Sequence, residues 1–172
     1  MFYASYNKVN EMWLKDIIMN ELIKVVKPLD IKVVELLVKE NKSGLSINVV
    51  IEKGGGVTIE DCEKVTRLLN DRLSMLQELE VENYRLQVSS PGLSRVFKKK
   101  DEYNIFKSRN VKIILKEPLT SNSEKLVNNL TDSLIYEGTL LGLEDDIVKI
   151  RDNTDRIVEI PYDKIQKTKL NG

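Results

Sequence analysis

Apolar residues recur at helical spacing between Asn10 and Lys27. Leu14, Ile17, Ile18, Leu22, Val25 and Val26 form a stripe, with Lys15, Asp16, Glu21 and Lys24 mostly between them. This predicts an amphipathic helix that stops at Pro28, with Met12 and Trp13 widening its buried side. Two β-rich runs follow, Ile31 to Glu40 and Leu45 to Glu52, joined by Asn41-Lys42-Ser43-Gly44 in a hairpin pattern. After Gly54-Gly55-Gly56, Thr58 is placed to cap a second helix, and Glu60 and Asp61 fall in its first turn, where negative charge suits the helix dipole. Cys62, Val65, Leu69, Leu73 and Leu76 mark the buried face of that helix. A strand from Tyr84 to Ser89 completes an α-β-β-α-β unit, with both helices expected on one face of a small sheet.

The pattern changes after Leu86-Gln-Val-Ser-Ser-Pro-Gly-Leu-Ser-Arg95. Pro91 lacks the donor a sheet ladder needs, and Gly92 can supply the positive φ of a type II turn. The turn Ser89-Ser90-Pro91-Gly92 therefore reads as a junction between a domain of residues 1–90 and one of residues 91–172. Beyond it come a short helix at Asp101 to Lys107, with Tyr103 and Phe106 on one side, and a half-buried strand at Asn110 to Glu117. Pro118 to Ser133 is polar and weakly patterned, a long exposed loop. Leu134 to Leu143, Ile147 to Asp152 and Arg156 to Ile160 alternate as strands, Pro161 to Ile165 suits one helical turn, and Gln166 to Leu170 closes the series. Five short strands with a helical turn before the last predict a small closed β-barrel of the SH3-like or Sm-like kind, and an α+β fold class for the whole chain.

Charge changes this picture more than composition does. The 172 residues carry no net charge, yet Pro91 to Tyr136 holds 9 basic and 5 acidic residues, whereas Met1 to Ser90 holds 12 and 14 and Glu137 to Gly172 holds 6 and 8. Positive charge thus gathers at and after the junction, in Arg95, Lys98, Lys99, Lys100, Lys107, Arg109 and Lys112, as an RNA backbone requires. Phe97, Tyr103 and Phe106 interleave with these cations, and the expectation is a small core rather than a base-stacking platform. Glu144, Asp145 and Asp146 crowd one turn of the second domain, a hairpin tip that would also complement a basic protein.

Several functions are disfavoured. With no histidine and one cysteine, zinc sites and histidine-based triads are closed off. Cys62 reads as a core residue, its acidic neighbours opposing a thiolate, and a single cysteine fits a reducing cytosol. The glycine loop lacks a Walker-type lysine and leads into an acidic helix turn, so it reads as a turn and not a phosphate cradle. Ser90 has no base at a motif distance, and nothing in the spacing of Glu60 and Glu63 would bury one and leave the other wet. No apolar run approaches the ~18 residues of a membrane span, and the first residues lack the pattern of a signal peptide. Catalysis, metal and cofactor are therefore not expected.

Four stretches, taken in order, carry a resemblance. They are Gly55-Gly-Val-Thr-Ile-Glu-Asp-Cys-Glu63, Tyr84-Arg-Leu-Gln-Val-Ser-Ser-Pro-Gly-Leu-Ser-Arg95, Tyr136-Glu-Gly-Thr-Leu140 and Ile160-Pro-Tyr-Asp-Lys-Ile165. Together they resemble the bacterial ribosome maturation factor RimP family over about Asn10 to Leu170. The chain departs from that pattern at Gln87, Ser94 and Val96 and in a longer segment around Thr120 to Ser133. The resemblance implies a non-enzymatic factor of the bacterial cytoplasm, working as a monomer. It implies as partner the immature small (30S) ribosomal subunit, met through ribosomal RNA and a small-subunit ribosomal protein, the latter by the barrel domain. The competing expectation is an Sm-like RNA-binding regulator that acts independently of the ribosome.

Overall fold

The computed structural model describes residues 2–41, 44–76, 84–119 and 133–172, and of residues 2–11 and 41 the backbone alone. The chain is mixed α+β and divides into two compact units, Met1–Pro91 and Gly92–Gly172.

The first unit begins with α1 (Phe2–Val26), which starts earlier than its amphipathic stripe. Pro28 does end the helix, in a 3₁₀ turn over Lys27–Leu29 whose following residue, Asp30, adopts φ 54°. Next come β1 (Ile31–Asn41), β2 (Gly44–Lys53), α2 (Ile59–Leu73) and β3 (Tyr84–Ser89), the expected α-β-β-α-β order. β1 and β2 pair antiparallel, from Ile31 opposite Lys53 to Asn41 opposite Gly44, and the centre of their hairpin loop, residues 42–43, lies outside the described residues. β3 pairs parallel to β2, with Leu45 opposite Tyr84, giving a three-stranded sheet in the order β1-β2-β3.

Burial alternates along β2, with Leu45, Ile47, Val49 and Ile51 all inward. Against that face pack Ile18, Leu22, Val25 and Val26 of α1 and Val65, Leu69 and Leu73 of α2. Thr58 caps α2 as its residue type predicts: its hydroxyl accepts from the Asp61 amide, and the Asp61 carboxylate accepts from the Thr58 amide. Lys53 adds an ion pair to Asp61 at 2.7 Å. α2 stops at Leu73, short of Leu76, with Ser74 closing the turn. One expectation fails outright. Met12 and Trp13 are 65% and 50% exposed and do not join the core, because the inward arc of α1 is already filled by Ile18, Leu22 and Val25.

The second unit contains the single-turn α3 (Glu102–Ile105), then β4 (Asn110–Leu115), β5 (Ile135–Glu144), β6 (Ile147–Arg151), β7 (Ile157–Pro161) and β8 (Ile165–Leu170). Most of the expected loop from Pro118 to Ser133 falls outside the described residues. All five strands are antiparallel, in the order β7-β6-β5-β4-β8. Among the described residues β7 and β8 occupy opposite edges and share no ladder, so the expected closed barrel is here an open five-stranded sheet. β7 is only five residues long and ends on Pro161, which has no amide to donate. A 3₁₀ turn, Tyr162–Lys164, carries the chain from one edge to the other.

The inward side of this sheet holds Val111, Ile113, Leu140, Val148, Ile150 and Ile160, each fully or almost fully buried. Phe97, Tyr103 and Phe106 close one end as an aromatic cluster, with ring centroids 5.0 Å apart for Phe97–Tyr103 and for Phe97–Phe106. They are core, as the sequence predicts. The Tyr103 hydroxyl is buried against that of Thr168 at 2.6 Å. Burial first of all pushes the Tyr103 phenol up to about 12.

Candidate nucleic-acid interface

The segment just after the junction reaches the sheet by backbone pairing. Gly92 adopts φ 73°, the positive value expected of a glycine following proline in a tight turn, and the Arg95 amide turns back to the Gly92 carbonyl. The chain then runs beside β8: Leu170 N–H donates to Arg95 O, Phe97 N–H donates to Thr168 O (both 2.9 Å), and Val96 lies opposite Lys169. Paired residues in a ladder point to the same face. Val96, Lys169, Lys112 and Glu137 therefore form one row across the outward side of the sheet, through the pairs Val96–Lys169, Lys169–Lys112 and Lys112–Glu137.

Lys169 directly opposite Lys112 is a like-charge pair, which is unfavourable in a sheet unless something offsets it. Glu137 does so for Lys112, at 2.7 Å. One step along, Lys167 faces Ile114 on the same side. The outward face of β4 and β8 thus assembles Lys112, Lys167 and Lys169. The last two escape a reading of charge runs because they stand alone in Gln-Lys-Thr-Lys-Leu. Their signal is the alternation with the inward Thr168 and Leu170.

The other expected cations are placed differently. Arg95 is withdrawn from the surface, with Nε and Nη2 each 3.1 Å from a Glu102 carboxylate oxygen, and the two side chains are 8% and 2% exposed. Glu102 Oε1 also accepts from the Lys98 amide at 3.3 Å. This carboxylate pins the basic segment to the start of α3. Lys99 is exposed. Lys100 reaches Asp146 in an ion pair and lies 4.8 Å from the centre of the Tyr162 ring. The hydrogen bond that the Lys100 ammonium donates to the Asp146 carboxylate holds that ammonium above its ordinary value. Lys107 lies across Gly142, while Asn104 bonds both the amide and the carbonyl of Leu143. Arg109 is half-buried, and its carbonyl accepts from Leu140 N–H at 2.9 Å. The structure therefore places Lys112 on the face shared with Lys167 and Lys169, leaves Lys98 and Lys99 exposed ahead of α3, sets Lys100 and Lys107 against β5 and its turn, and uses Arg95 inside.

The acidic tip is a two-residue turn between β5 and β6, Asp145 and Asp146 both taking positive φ (47° and 63°). Asp146 is engaged twice: by Lys100 through its carboxylate, and by the Tyr162 amide through its carbonyl at 2.9 Å. Glu144 pairs with Lys149 at 3.4 Å, and Asp145 is exposed at the tip. Two stretches that read separately in the sequence, the lysine run and the acidic turn, are thus joined through Lys100 and Asp146.

No group of histidine, cysteine, aspartate or glutamate able to hold a metal ion occurs among the described residues, and none of their helices is long and apolar enough to cross a membrane. Residues 21–94 match the model of the RimP N-terminal domain. The first unit thus carries the N-terminal domain of the RimP family. The match spans the sheet and second helix of the first unit and ends at Ser94, at the beginning of the second. RimP is a family of ribosome maturation factors.

Proposed function

We propose that this chain is a non-enzymatic assembly factor for the small ribosomal subunit, acting in the cytoplasm as a monomer. It binds immature subunits through ribosomal RNA and a small-subunit ribosomal protein. The observation that carries the RNA contact is the cluster of Lys112, Lys167 and Lys169 on one sheet face, with the exposed Lys98 on the segment leading into α3. Cations fixed at strand spacing meet successive phosphates and release condensed counterions, so affinity falls steeply with salt. Aliphatic neighbours such as Val96 and Ile135, both partly exposed, exclude water beside the phosphates without stacking on bases, which fits binding with little sequence preference.

Lys99, Lys100, Lys107 and Arg109 extend the same positive field around α3, while Arg95 serves by fixing the segment that carries Lys98. Ser89, Ser90, Pro91 and Gly92 act as the junction between domains 1–90 and 91–172. Glu144 and Asp145 at the β5–β6 turn are the surface offered to a basic ribosomal protein, with Asp146 spent on Lys100. Sedimentation of cell extract tests the reading. The factor is expected to co-migrate with free small subunits and to be absent from mature ribosomes. Recovery only with short free RNA would instead favour an Sm-like regulator, a reading supported by the β7 edge, which pairs only with β6 among the described residues.

A further inference from the structure

The first unit presents a feature that RNA binding does not use. Among the described residues β3 pairs only with β2, so one alternate set of its amide and carbonyl groups, from Tyr84 to Ser89, faces outward without a strand partner. Beside that edge runs an open groove of about 520 Å³ between β3 and α2. Ile59, Glu63, Arg67 and Asp71, four residues apart on α2, form its outer wall, with Cys62 and Val88 also lining it. Ile59 at one end is 75% exposed.

We infer that this edge and groove form a docking site for an extended peptide segment bearing lysine or arginine side chains. An incoming strand would complete the ladder of β3 through its backbone, the general mode by which sheet edges capture peptides. Alternate side chains of such a strand point to one face, here into the groove over Val88 and Cys62. Two carboxylates, Glu63 and Asp71, flank the single Arg67, so the wall is net negative and selects cationic side chains. Exposed edges are otherwise liabilities that proteins cover or shorten, and the six residues of β3 have no second strand partner among the described residues and no internal proline to guard them. The inference stands independently of the RNA contact, which lies in the other unit.

The chain carries its own reporter, because its one cysteine lines the groove. The test adds a ten-residue peptide of alternating lysine and valine to the full chain. Two readouts follow: amide exchange of Tyr84 to Ser89, and the rate at which iodoacetamide alkylates Cys62. Protection of the β3 amides, with Cys62 alkylation slowed about fivefold or more, is the expected result. Glu63→Lys with Asp71→Lys, both at exposed helix positions, should abolish it while far-UV circular dichroism stays unchanged. No protection at millimolar peptide overturns the proposal. So does equal protection by an alternating glutamate–valine peptide. Protection that rises with protein concentration alone would also overturn it, assigning the edge to a second copy of the chain.

Discussion

Arg95 and Glu102 meet in a doubly hydrogen-bonded ion pair inside the second unit, both contacts at 3.1 Å. Breaking one side of such a pair leaves the other charge buried, at a cost of about 3–5 kcal/mol. Arg95→Ala and Glu102→Ala should each lower stability to urea by that order. The double replacement Arg95→Met, Glu102→Leu should recover most of the loss, because no stranded charge remains. Single variants that unfold like the parent chain would contradict a structural role for Arg95.

Gly138 lies where β5 passes closest to the end of β6. A Cβ at this position would fall on the carbonyl oxygen of Arg151, a backbone atom that cannot swing away. Gly138→Ala should therefore destabilise by about 1–3 kcal/mol, the usual cost of overpacking. Gly54→Ala, whose Cβ would meet nothing within 4 Å, is the control and should change little.

Tyr103 predicts an alkaline limit. Burial pushes its folded phenol up to about 12 from the ordinary 10.0, so the fold favours the protonated form. That preference is fully present below pH 10 and is lost as pH rises from 10 toward 12, a contribution of roughly 2–3 kcal/mol at full ionisation. Urea midpoints measured from pH 8 to 11.5 should fall across that window, and Tyr103→Phe should flatten the fall. An unchanged slope in the variant would assign the alkaline loss to other groups.

Much of this architecture is legible from residue order because local chemistry and tertiary packing agree. Thr58 and Asp61 form a capping box wherever a helix begins, Pro28 ends one anywhere, and Tyr84 to Ser89 alternates until Pro91 removes the next donor. What stays hidden is set by pairing across long separations. Lys169 and Lys112 become neighbours only because β8 folds back onto β4, and nothing near either residue announces it. Arg95 misleads for the opposite reason: in a run of cations it reads as surface, while its partner Glu102 enters from the next helical turn and draws it inside. Trp13 shows the limit of periodicity, since an amphipathic stripe does not say how wide an arc the sheet will cover.

The most direct test of the RNA contact proposed for this sheet face is the salt dependence of association with immature small subunits. The triple variant Lys112→Gln, Lys167→Gln, Lys169→Gln should bind more weakly at low salt. Its plot of log affinity against log salt should be shallower by roughly 2 units, since each lost phosphate contact removes about 0.7–0.9. Thermal stability should stay within a few degrees of the parent chain. Parent-like affinity and slope in that variant would contradict the assignment of this sheet face to RNA.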